Sequence, residues 1–277
     1  MNAISSDTAR VEWVRDEVRR HYARAAEDGN CCSTGGCGDR ASATEVSTLG
    51  YSADEIAALP PGADLGLGCG NPQAIAALKP GEIVLDLGSG AGFDCFLAAR
   101  AVGSTGRVIG VDMTPEMLSR AWANAAKSGM TQLDFRFGHI EALPVAENSV
   151  DVVISNCVIN LSPDQPAVFR EAFRVLKPGG RLAVADIVRT ADLPPEIAAD
   201  LAALCGCVAG ASRVDELEMM LAAAGFADIR IRPKDASREF IRNWVPGRNA
   251  EDYVVSATIE AVKPGALVAC CASSCCN

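Results

Sequence analysis

A regular alternation of strand-like and helix-like segments between Glu82 and Arg189 limits the fold of this chain more than any other feature. Five apolar runs have the length and composition of buried strands: EIVLDL, RVIGVD, LDFRFG, SVDVVIS and GRLAVADIV. Three segments between them show helical spacing of their apolar residues: FDCFLAARAV, PEMLSRAWANAAKSG and QPAVFREAFRVL. Strands that alternate with helices form parallel sheets covered on both faces. The pattern predicts an α/β fold with a doubly wound, mostly parallel sheet.

The segments before this core carry signals for helices and loops. Apolar residues recur at helical spacing over residues 11–22, which predicts an amphipathic helix that ends near Gly29. Residues 31–50 are small, polar and rich in glycine, and they predict a loop. The sequence SADE at Ser52–Glu55 has the pattern of a capping box that opens a short helix.

After Arg189 the alternation stops. Helical patterns occur in PEIAADLAAL and RVDELEMMLAAAGF, and the runs ADIRIRP and YVVSATIEAV predict two final strands. The last dozen residues form a cysteine-rich tail.

The charge and hydropathy of the chain exclude several classes of partner. A net charge of −10 gives no basic surface for nucleic acid, since phosphate contacts need clustered lysine and arginine. No uncharged apolar stretch reaches the roughly 18 residues that span a bilayer. The charged N-terminal region lacks the apolar segment of a signal peptide. We therefore expect a soluble, cytoplasmic protein without a membrane or nucleic-acid partner, whose oligomeric state the sequence leaves open.

Twelve cysteines in a chain of 277 residues point to metal or redox chemistry. A chain this long has enough apolar core to fold without disulfides, and a reducing cytosol keeps thiols free. The arrangement is not that of a zinc finger, because paired CxxC motifs are missing and His21 and His139 are the only histidines.

A glycine-rich loop, DLGSGAGFD, joins the first predicted strand to the first helix of the core. A dinucleotide-binding loop would place its third glycine at position 93, which is phenylalanine here. Asp112 ends the second strand, where an acid binds the two hydroxyls of a ribose. An acid in that place without a pyrophosphate loop predicts a nucleoside ligand that carries something other than a pyrophosphate.

With these motifs the sequence resembles the S-adenosylmethionine-dependent methyltransferases that have a Rossmann-like sheet. The resemblance covers roughly residues 80–190 and includes EAFRVLKPGGRLAVAD, which is typical of small-molecule members. It implies that S-adenosylmethionine is the methyl donor and that the cofactor is bound by residues at the carboxyl ends of the first, second and fourth strands and by a loop before the fourth. These residues are Asp86, Gly88, Ser89, Gly90, Asp112, Met113, Ile140, Glu141 and Asn156.

Three cysteines lie in loops that this fold brings to one crevice. Cys157 follows the fourth strand, and Cys207 lies after the fifth, where small-molecule methyltransferases place their substrate lid. Cys69 precedes a helix that we expect Asn71 to cap and Pro72 to begin, so the helix N-terminus should lower the pKa of this thiol. A single buried cysteine is more often a small apolar residue of the core. Three thiols that converge instead predict a site for a soft metal or metalloid.

The motifs around these cysteines resemble those of the arsenite S-adenosylmethionine methyltransferases. They are GLGCGNP, SNCVINLSPD and CGCVAGA, in this order, together with TLGYS and VLDLGSGAGFDCFLAA, and the resemblance covers most of residues 10–265. It implies that Cys69, Cys157 and Cys207 bind trivalent arsenic, in arsenite and in methylated arsenicals. Cys205 stands close enough in sequence to Cys207 to replace it in this role.

The resemblance also implies a redox role for an N-terminal cysteine. Each methylation oxidises arsenic, and a thiol pair returns two electrons by closing a disulfide. Cys32 with Cys69 is the preferred pair, with Cys31 or Cys37 as alternatives to Cys32. A thiol reductant such as glutathione or thioredoxin would then reopen the disulfide. Cys95, in the first helix of the core, is expected to be an ordinary core residue.

The chemistry of arsenic fits the scarcity of histidine. Methylation of oxygen, nitrogen or carbon usually needs a base near the methyl group, whereas trivalent arsenic attacks with a lone pair and has no proton to lose. Two other functions stay open at this point. A C-methyltransferase of the quinone or sterol type has similar cofactor motifs, and a thiol-rich metal-sequestering protein would use the terminal cysteine pairs.

The expected division of the chain follows from these assignments. Residues 1–79 form an N-terminal helix and cysteine-bearing loops, and residues 80–190 form the S-adenosylmethionine-binding core. Residues 191–265 form an arsenic-binding lid with the final strands, and residues 266–277 form the cysteine-rich tail.

Overall fold

The computed structural model describes residues 3–28, 43–242, 244 and 247–265. Seven strands form one sheet in the order β3-β2-β1-β4-β5-β7-β6. Their bounds are β1 Ile83–Leu87, β2 Arg107–Asp112, β3 Leu133–Phe137, β4 Val150–Asn156, β5 Leu176–Arg189, β6 Ala227–Lys234 and β7 Val254–Val262.

Helices cover the sheet and extend from it on the N-terminal side. The first group is α1 Ala3–Asp28, α2 Ala43–Thr48, α3 Ala53–Ala57, α4 Gln73–Ala76, α5 Phe93–Val102 and α6 Pro115–Ser128. The second group is α7 Gln165–Val175, α8 Pro195–Ala198, α9 Leu201–Cys205, α10 Val214–Ala224 and α11 Arg238–Ile241. Three 3₁₀ turns lie at Ile159–Leu161, Asp235–Ser237 and Ala250–Asp252. None of the helices in the described part of the chain is both long enough and apolar enough to cross a membrane.

The sheet confirms the predicted doubly wound architecture. Strands β1 to β5 pair in parallel, while β7 runs antiparallel between β5 and β6. The two final strands predicted from the sequence thus extend the same sheet. The order in which strands are added to the sheet reverses between β1 and β4, since β2 and β3 lie on one side of β1 and β4 and β5 lie on the other. Ligands bind at this switch point in folds of this kind.

Two apolar layers pack on opposite faces of the sheet, as the alternation of side chains in a strand requires. In β1, Leu85 packs with Phe169 of α7 on one face, and its neighbour Val84 packs with Phe96 of α5 on the other. All four side chains are fully buried. Burial on both faces explains why the central strands read as continuous apolar runs.

Two predicted helix ends are close to those of the structure. Helix α1 is described as far as Asp28, next to the expected end near Gly29. Ser52 caps α3, with its hydroxyl accepting from the amide of Glu55 and the Glu55 carboxylate accepting from the amide of Ser52. The expectation of a loop throughout 31–50 was wrong at α2, where the buried Val46 packs against Tyr51. Residues 31–42 lie outside the described part of the chain.

Two further differences concern helices that are shorter than predicted. The segment PEIAADLAAL forms two helices, α8 and α9, because the side chain of Asp200 accepts from the amide of Ala202 and starts a new helix. The helix after Asn71 is a single turn that begins at Gln73, with Pro72 as its N-cap. The Asn71 side chain still accepts from the amide of Ala74 at 3.2 Å.

Candidate functional site

A cavity of about 350 Å³ opens at the carboxyl ends of β1, β2 and β4. Its volume falls in the range of roughly 300–1,000 Å³ that is usual for small-molecule sites. All nine residues predicted to bind the cofactor line it: Asp86, Gly88, Ser89, Gly90, Asp112, Met113, Ile140, Glu141 and Asn156. Cys157 and Cys207 line it as well, so the cavity joins the predicted cofactor site to the predicted arsenic site.

The glycine loop forms the floor of the cavity. Gly88 and Gly90 have φ values of +66° and +52°, which side chains rarely adopt. A Cβ at Gly88 would lie 2.4 Å from the side chain of Val158, so the loop packs directly on the segment after β4. The hydroxyl of Ser89 is buried without a hydrogen-bond partner among the described residues. A cradle of backbone with an unpaired hydroxyl fits a polar ligand such as S-adenosylmethionine.

Asp112 holds this loop at the end of β2. One carboxylate oxygen accepts from the amide of Gly90 at 2.9 Å, and the other accepts from the amide of Thr114 at 2.8 Å. Burial raises the pKa of Asp112, against the effect of these backbone hydrogen bonds. The hydroxyl of Thr114 and the amide of Met113 also donate to this carboxylate.

Helix α1 covers the cavity and ties its two sides together. Arg15 forms an ion pair with Glu141 at 3.3 Å, and Glu141 also accepts from the hydroxyl of Ser162 at 2.6 Å. At the other side, the hydroxyl of Tyr22 donates to the carbonyl of Cys205 at 3.0 Å. The roles of Arg15 and Tyr22 were not predicted from the sequence, because an amphipathic pattern does not show which surface the helix will cover.

His21 also lines the cavity, although the sequence did not place it near the reacting centre. Burial, together with the nearby charge of Arg24, lowers the pKa of its imidazole. This histidine is therefore neutral at physiological pH.

A buried polar network connects the cavity to the loop that carries Cys69. The side chain of Asn156 accepts from the amide of Cys69 at 3.0 Å and donates to the carbonyl of Gly70 at 2.9 Å. Asn156 also donates to Asp94 at 3.2 Å, and Asp94 accepts from the hydroxyl of Tyr51 at 2.8 Å. Asp94 and Tyr51 were missed in the sequence. Asp94 also lines the cavity, and burial raises its pKa to about 6.

Close packing brings the Cys69 loop onto the edge of the sheet. A Cβ at Gly68 would lie 2.9 Å from the Asn156 amide nitrogen, and a Cβ at Gly70 would lie 2.8 Å from the Cβ of Ala185. The hydroxyl of Ser256 in β7 donates to the carbonyl of Cys69 at 2.8 Å. The glycines on both sides of Cys69 therefore permit an approach that larger residues would block.

The three predicted arsenic ligands meet at one end of the cavity. The thiols of Cys69 and Cys207 both interact with that of Cys157, and all three cysteines are buried. Cys69 does not line the cavity itself and lies behind Cys157. The thiol of Cys207 points to the carbonyl oxygen of Cys157 at 2.7 Å. Cys205 also lines the cavity, but the thiols that interact with that of Cys157 are those of Cys69 and Cys207, so the geometry favours Cys207 over Cys205 as the third ligand.

Cys157 and Cys207 both adopt a left-handed backbone conformation, with φ values of +58° and +61°. This conformation costs a residue with a side chain on the order of 1–3 kcal/mol and is concentrated at functional sites. Glycine would relieve the strain at either position. Four other non-glycine residues among those described share this conformation. What distinguishes Cys157 and Cys207 is that their strained backbones carry thiols that contact each other.

The thiols are neutral in the free protein, which corrects one prediction. Burial raises the pKa of Cys69 to about 12, so the expected lowering by a helix N-terminus was wrong. The reason is that α4 is one turn long and begins four residues after this cysteine. Burial likewise raises the pKa of Cys157, and the contact with Cys157 together with burial raises that of Cys207.

Asp186, at the end of β5, is the main residue of this site that the sequence did not reveal. Its carboxylate lies within 4.8 Å of the Cys69 and Cys157 sulfur atoms. It accepts from the amides of Ile159 at 3.1 Å and Ile187 at 2.8 Å. Burial raises the pKa of Asp186 to about 7. The available signal was a single acid inside the apolar run GRLAVADIV.

The other cysteines divide into two groups. Cys95 is fully buried in α5, as expected for a core residue, and its thiol also donates to Asp86 at 3.2 Å. The predicted redox cysteine Cys32 lies outside the described part of the chain, as do its alternatives Cys31 and Cys37 and the cysteines of the tail. The five cysteines in the described part are free thiols: Cys69, Cys95, Cys157, Cys205 and Cys207.

Comparisons with known proteins show the family of this chain. Residues 78–225 match the family model described as a methyltransferase domain. An arsenite methyltransferase of Halobacterium salinarum is 54% identical over 91% of this chain and 67% of its own length. One from Aquipseudomonas alcaligenes is 37% identical over 79% of this chain and 63% of its own length.

A solved structure shows the same relationship in three dimensions. The arsenic(III) S-adenosylmethionine methyltransferase of Chlamydomonas reinhardtii superimposes with a TM-score of 0.59 at 31% identity, covering 82% of this chain and 74% of the other. From its methyltransferase domain and its identity to the Halobacterium relative over nine-tenths of its length, this chain belongs to the arsenite methyltransferase family.

Proposed function

We propose that this protein transfers methyl groups from S-adenosylmethionine to trivalent arsenic, in arsenite and in methylarsenite, and so serves arsenic detoxification. The observation that carries the proposal is the mutual contact of three cysteines that are far apart in sequence, two of which line the cofactor cavity. Two of the three have left-handed backbones, which core packing alone does not require.

The cofactor site assigns a task to each part of the cavity. Gly88 and Gly90 let the backbone approach the ligand, and Ser89 offers its unpaired hydroxyl. Asp112 accepts from the ribose hydroxyls, while Ile140 and Glu141 lie at the adenine side. S-adenosylmethionine supplies a methyl group on a positively charged sulfur. Asn156, a predicted cofactor residue, and Cys157 are neighbours on the cavity wall. We therefore expect the methyl-bearing end of the cofactor to lie near Cys157.

Neutral thiols suit arsenite as a ligand. Each thiol that replaces a hydroxyl on As(OH)₃ forms an As–S bond, and its proton leaves with the hydroxyl as water. Three thiols therefore bind arsenite with release of three waters and no net release of protons. The raised pKa values of Cys69, Cys157 and Cys207 do not oppose this exchange. The bound arsenic keeps its lone pair and needs no base, so the main tasks of the protein are orientation and exclusion of water.

The redox part of the proposal concerns Cys32 and Cys69. Methylation takes arsenic from the trivalent to the pentavalent state, and two thiols return it by giving up two electrons and two protons as they form a disulfide. Glutathione or thioredoxin then reduces the disulfide. The free thiols of the described part suit a reducing compartment, which supports a cytoplasmic location. In this scheme residues 191–265 act as the lid of the arsenic site, next to the core at 80–190.

The first prediction concerns the cofactor. Changing Asp112 to Asn removes the charge that accepts from the ribose hydroxyls, while an oxygen remains to hold part of the loop. Hydrogen bonds to a charged group contribute about 1.5–3 kcal/mol, so the Kd for S-adenosylmethionine should rise roughly 10- to 150-fold. Isothermal titration calorimetry measures this directly. An unchanged Kd in a folded variant would remove Asp112 from the cofactor site.

The second prediction concerns Cys157. Cys157→Ser replaces a soft thiol by a hard hydroxyl of similar shape, and Cys157→Gly also relieves the left-handed backbone. Both variants should lose arsenite binding and turnover while the Kd for S-adenosylmethionine stays near that of the wild type. The free energy of unfolding of the glycine variant should lie within about 1 kcal/mol of that of the wild type, because relief of backbone strain offsets the loss of the buried side chain.

Cys95→Ser is the matched control for that experiment, since Cys95 is equally buried but lies in α5 away from the other thiols. It should lose some stability and keep its arsenic methylation. A Cys157→Ser enzyme that methylated arsenite and methylarsenite at near wild-type rates would make Cys157 a core residue.

The third prediction tests the redox pair. Cys32→Ser should impair methylation of arsenite more than that of methylarsenite, because the methylated species needs only two thiols and Cys157 and Cys207 supply them. Rates on the two substrates, with the products separated over time, measure the difference. Equal losses on both substrates would argue against a redox role for Cys32.

A further inference from the structure

The thiol site contains an oxygen donor that arsenic does not need. The carboxylate of Asp186 and the sulfur atoms of Cys69 and Cys157 all lie within 4.8 Å of one another. Within the described residues, this is the group of cysteine, histidine and acidic side chains whose ligand atoms are close enough to hold a metal ion. Trivalent arsenic is satisfied by three sulfurs and a lone pair, so the carboxylate has no place in its coordination.

We propose that the same site binds a divalent cation of borderline softness, with Zn²⁺ as the representative, through Cys69, Cys157, Asp186 and the adjacent Cys207, and that this cation competes with arsenic. Zn²⁺ prefers four ligands in a tetrahedron and accepts both thiolate and carboxylate. The binding of the cation stands independently, whereas the competition rests on the proposed arsenic function of the three cysteines.

The spacing of the donors fits a tetrahedral ion. With Zn–S bonds of about 2.3 Å and Zn–O bonds of about 2.0 Å, neighbouring donors in a tetrahedron lie roughly 3.5–3.8 Å apart. Donors already within 4.8 Å of one another need to move by about 1 Å. Cys207 lies outside that closest group because its thiol points to the carbonyl oxygen of Cys157, and a rotation about its side chain would bring it toward the Cys157 thiol that it already contacts.

Asp186 is fixed in position as a ligand should be. The amides of Ile159 and Ile187 donate to its two oxygens, one to each, and hold the carboxylate in place. The carboxylate also accepts from the amide of Asn160 and from the thiol of Cys157. Loss of the Cys157 proton on metal binding frees a lone pair of the carboxylate for the metal ion. The carboxylate is almost fully buried, so no water competes for that lone pair from bulk solvent. Fixed ligands with satisfied outer hydrogen bonds are the usual arrangement of metal sites.

Zinc and arsenite differ in what happens to the thiol protons. Arsenite carries hydroxyls that leave as water with those protons, whereas aqueous Zn²⁺ carries neutral water. Each thiol that binds Zn²⁺ therefore releases one proton to the buffer. Zinc binding through three thiols should release about three protons for each ion, and arsenite binding should release fewer than one.

The test uses the full-length chain in which the seven cysteines outside the described residues are changed to serine: Cys31, Cys32, Cys37, Cys270, Cys271, Cys275 and Cys276. This removes other thiol sites for zinc. In this background, Zn²⁺ is titrated against a chromophoric chelator, and the released protons are measured by calorimetry in two buffers. Asp186→Asn and Cys157→Ser are compared with the control Cys95→Ser.

We expect one Zn²⁺ per chain in the background protein and in Cys95→Ser. Asp186→Asn and Cys157→Ser should each weaken zinc binding at least about tenfold, as loss of a ligand does. Asp186→Asn should weaken zinc binding more than arsenite binding. No zinc binding in the background protein, or zinc affinity that is the same in Asp186→Asn, would overturn the proposal.

Two further measurements separate the possible failures. If Asp186→Asn does not fold, the test is the visible absorption spectrum of Co²⁺ bound to the background protein. Intense visible bands of a tetrahedral ion with thiolate charge transfer support the site, and the weak bands of an octahedral ion overturn it. If zinc and arsenite bind the background protein at the same time, the competition and the three-cysteine arsenic site fail, while the cation site remains.

Discussion

The hydrogen bonds of Asn156 are the interaction on which the rest of the site depends. This side chain lies at the end of β4. Its oxygen accepts a hydrogen bond from the amide of Cys69, and its nitrogen donates to the carbonyl of Gly70. That contact helps to hold the loop that precedes the sheet at the carboxyl edge of the sheet. With it, a cysteine from residue 69 lies beside one from residue 157, although 87 residues separate Cys69 from Asn156. Asn156 also lines the cavity, so one residue joins the Cys69 loop to the predicted cofactor site.

Backbone strain completes the arrangement that Asn156 begins. Cys157 and Cys207 each take a left-handed conformation that favours glycine, and each presents a thiol to the other. Gly210 helps, because a Cβ there would lie 1.9 Å from the carbonyl oxygen of Asn160 and would push the Cys207 segment away. The buried thiols stay protonated, which keeps three adjacent sulfurs from repelling one another until a ligand arrives.

Much of the fold and part of the site could be predicted from the sequence, and the reasons differ. The five core strands and three helices between them were predictable because each is a long periodic segment whose burial follows from its own residues. Most of the cofactor residues and Cys157 were predicted from motifs at strand ends, where parallel sheets place ligands. Cys69 and Cys207 were predicted from loop motifs, and the roles of all these residues stay predictions. What was missed depends on contacts between distant segments. Asp186 reads as one acid in a strand, and Asp94 and Tyr51 gain a role only when Asn156 joins them. The neutral state of Cys69 arises from burial by β5 and β7, which a local helix signal does not report.

The central claim is that three sulfurs from Cys69, Cys157 and Cys207 bind arsenic at the end of the cofactor cavity. Arsenic K-edge X-ray absorption on the arsenite complex counts those sulfurs directly. We predict three As–S bonds and no As–O bond in the protein in which the seven cysteines outside the described residues are changed to serine. When Cys207 is also changed to serine, we predict two As–S bonds and one As–O bond. A shell of three sulfurs that persists without Cys207, or a shell with oxygen in its presence, would contradict the claim.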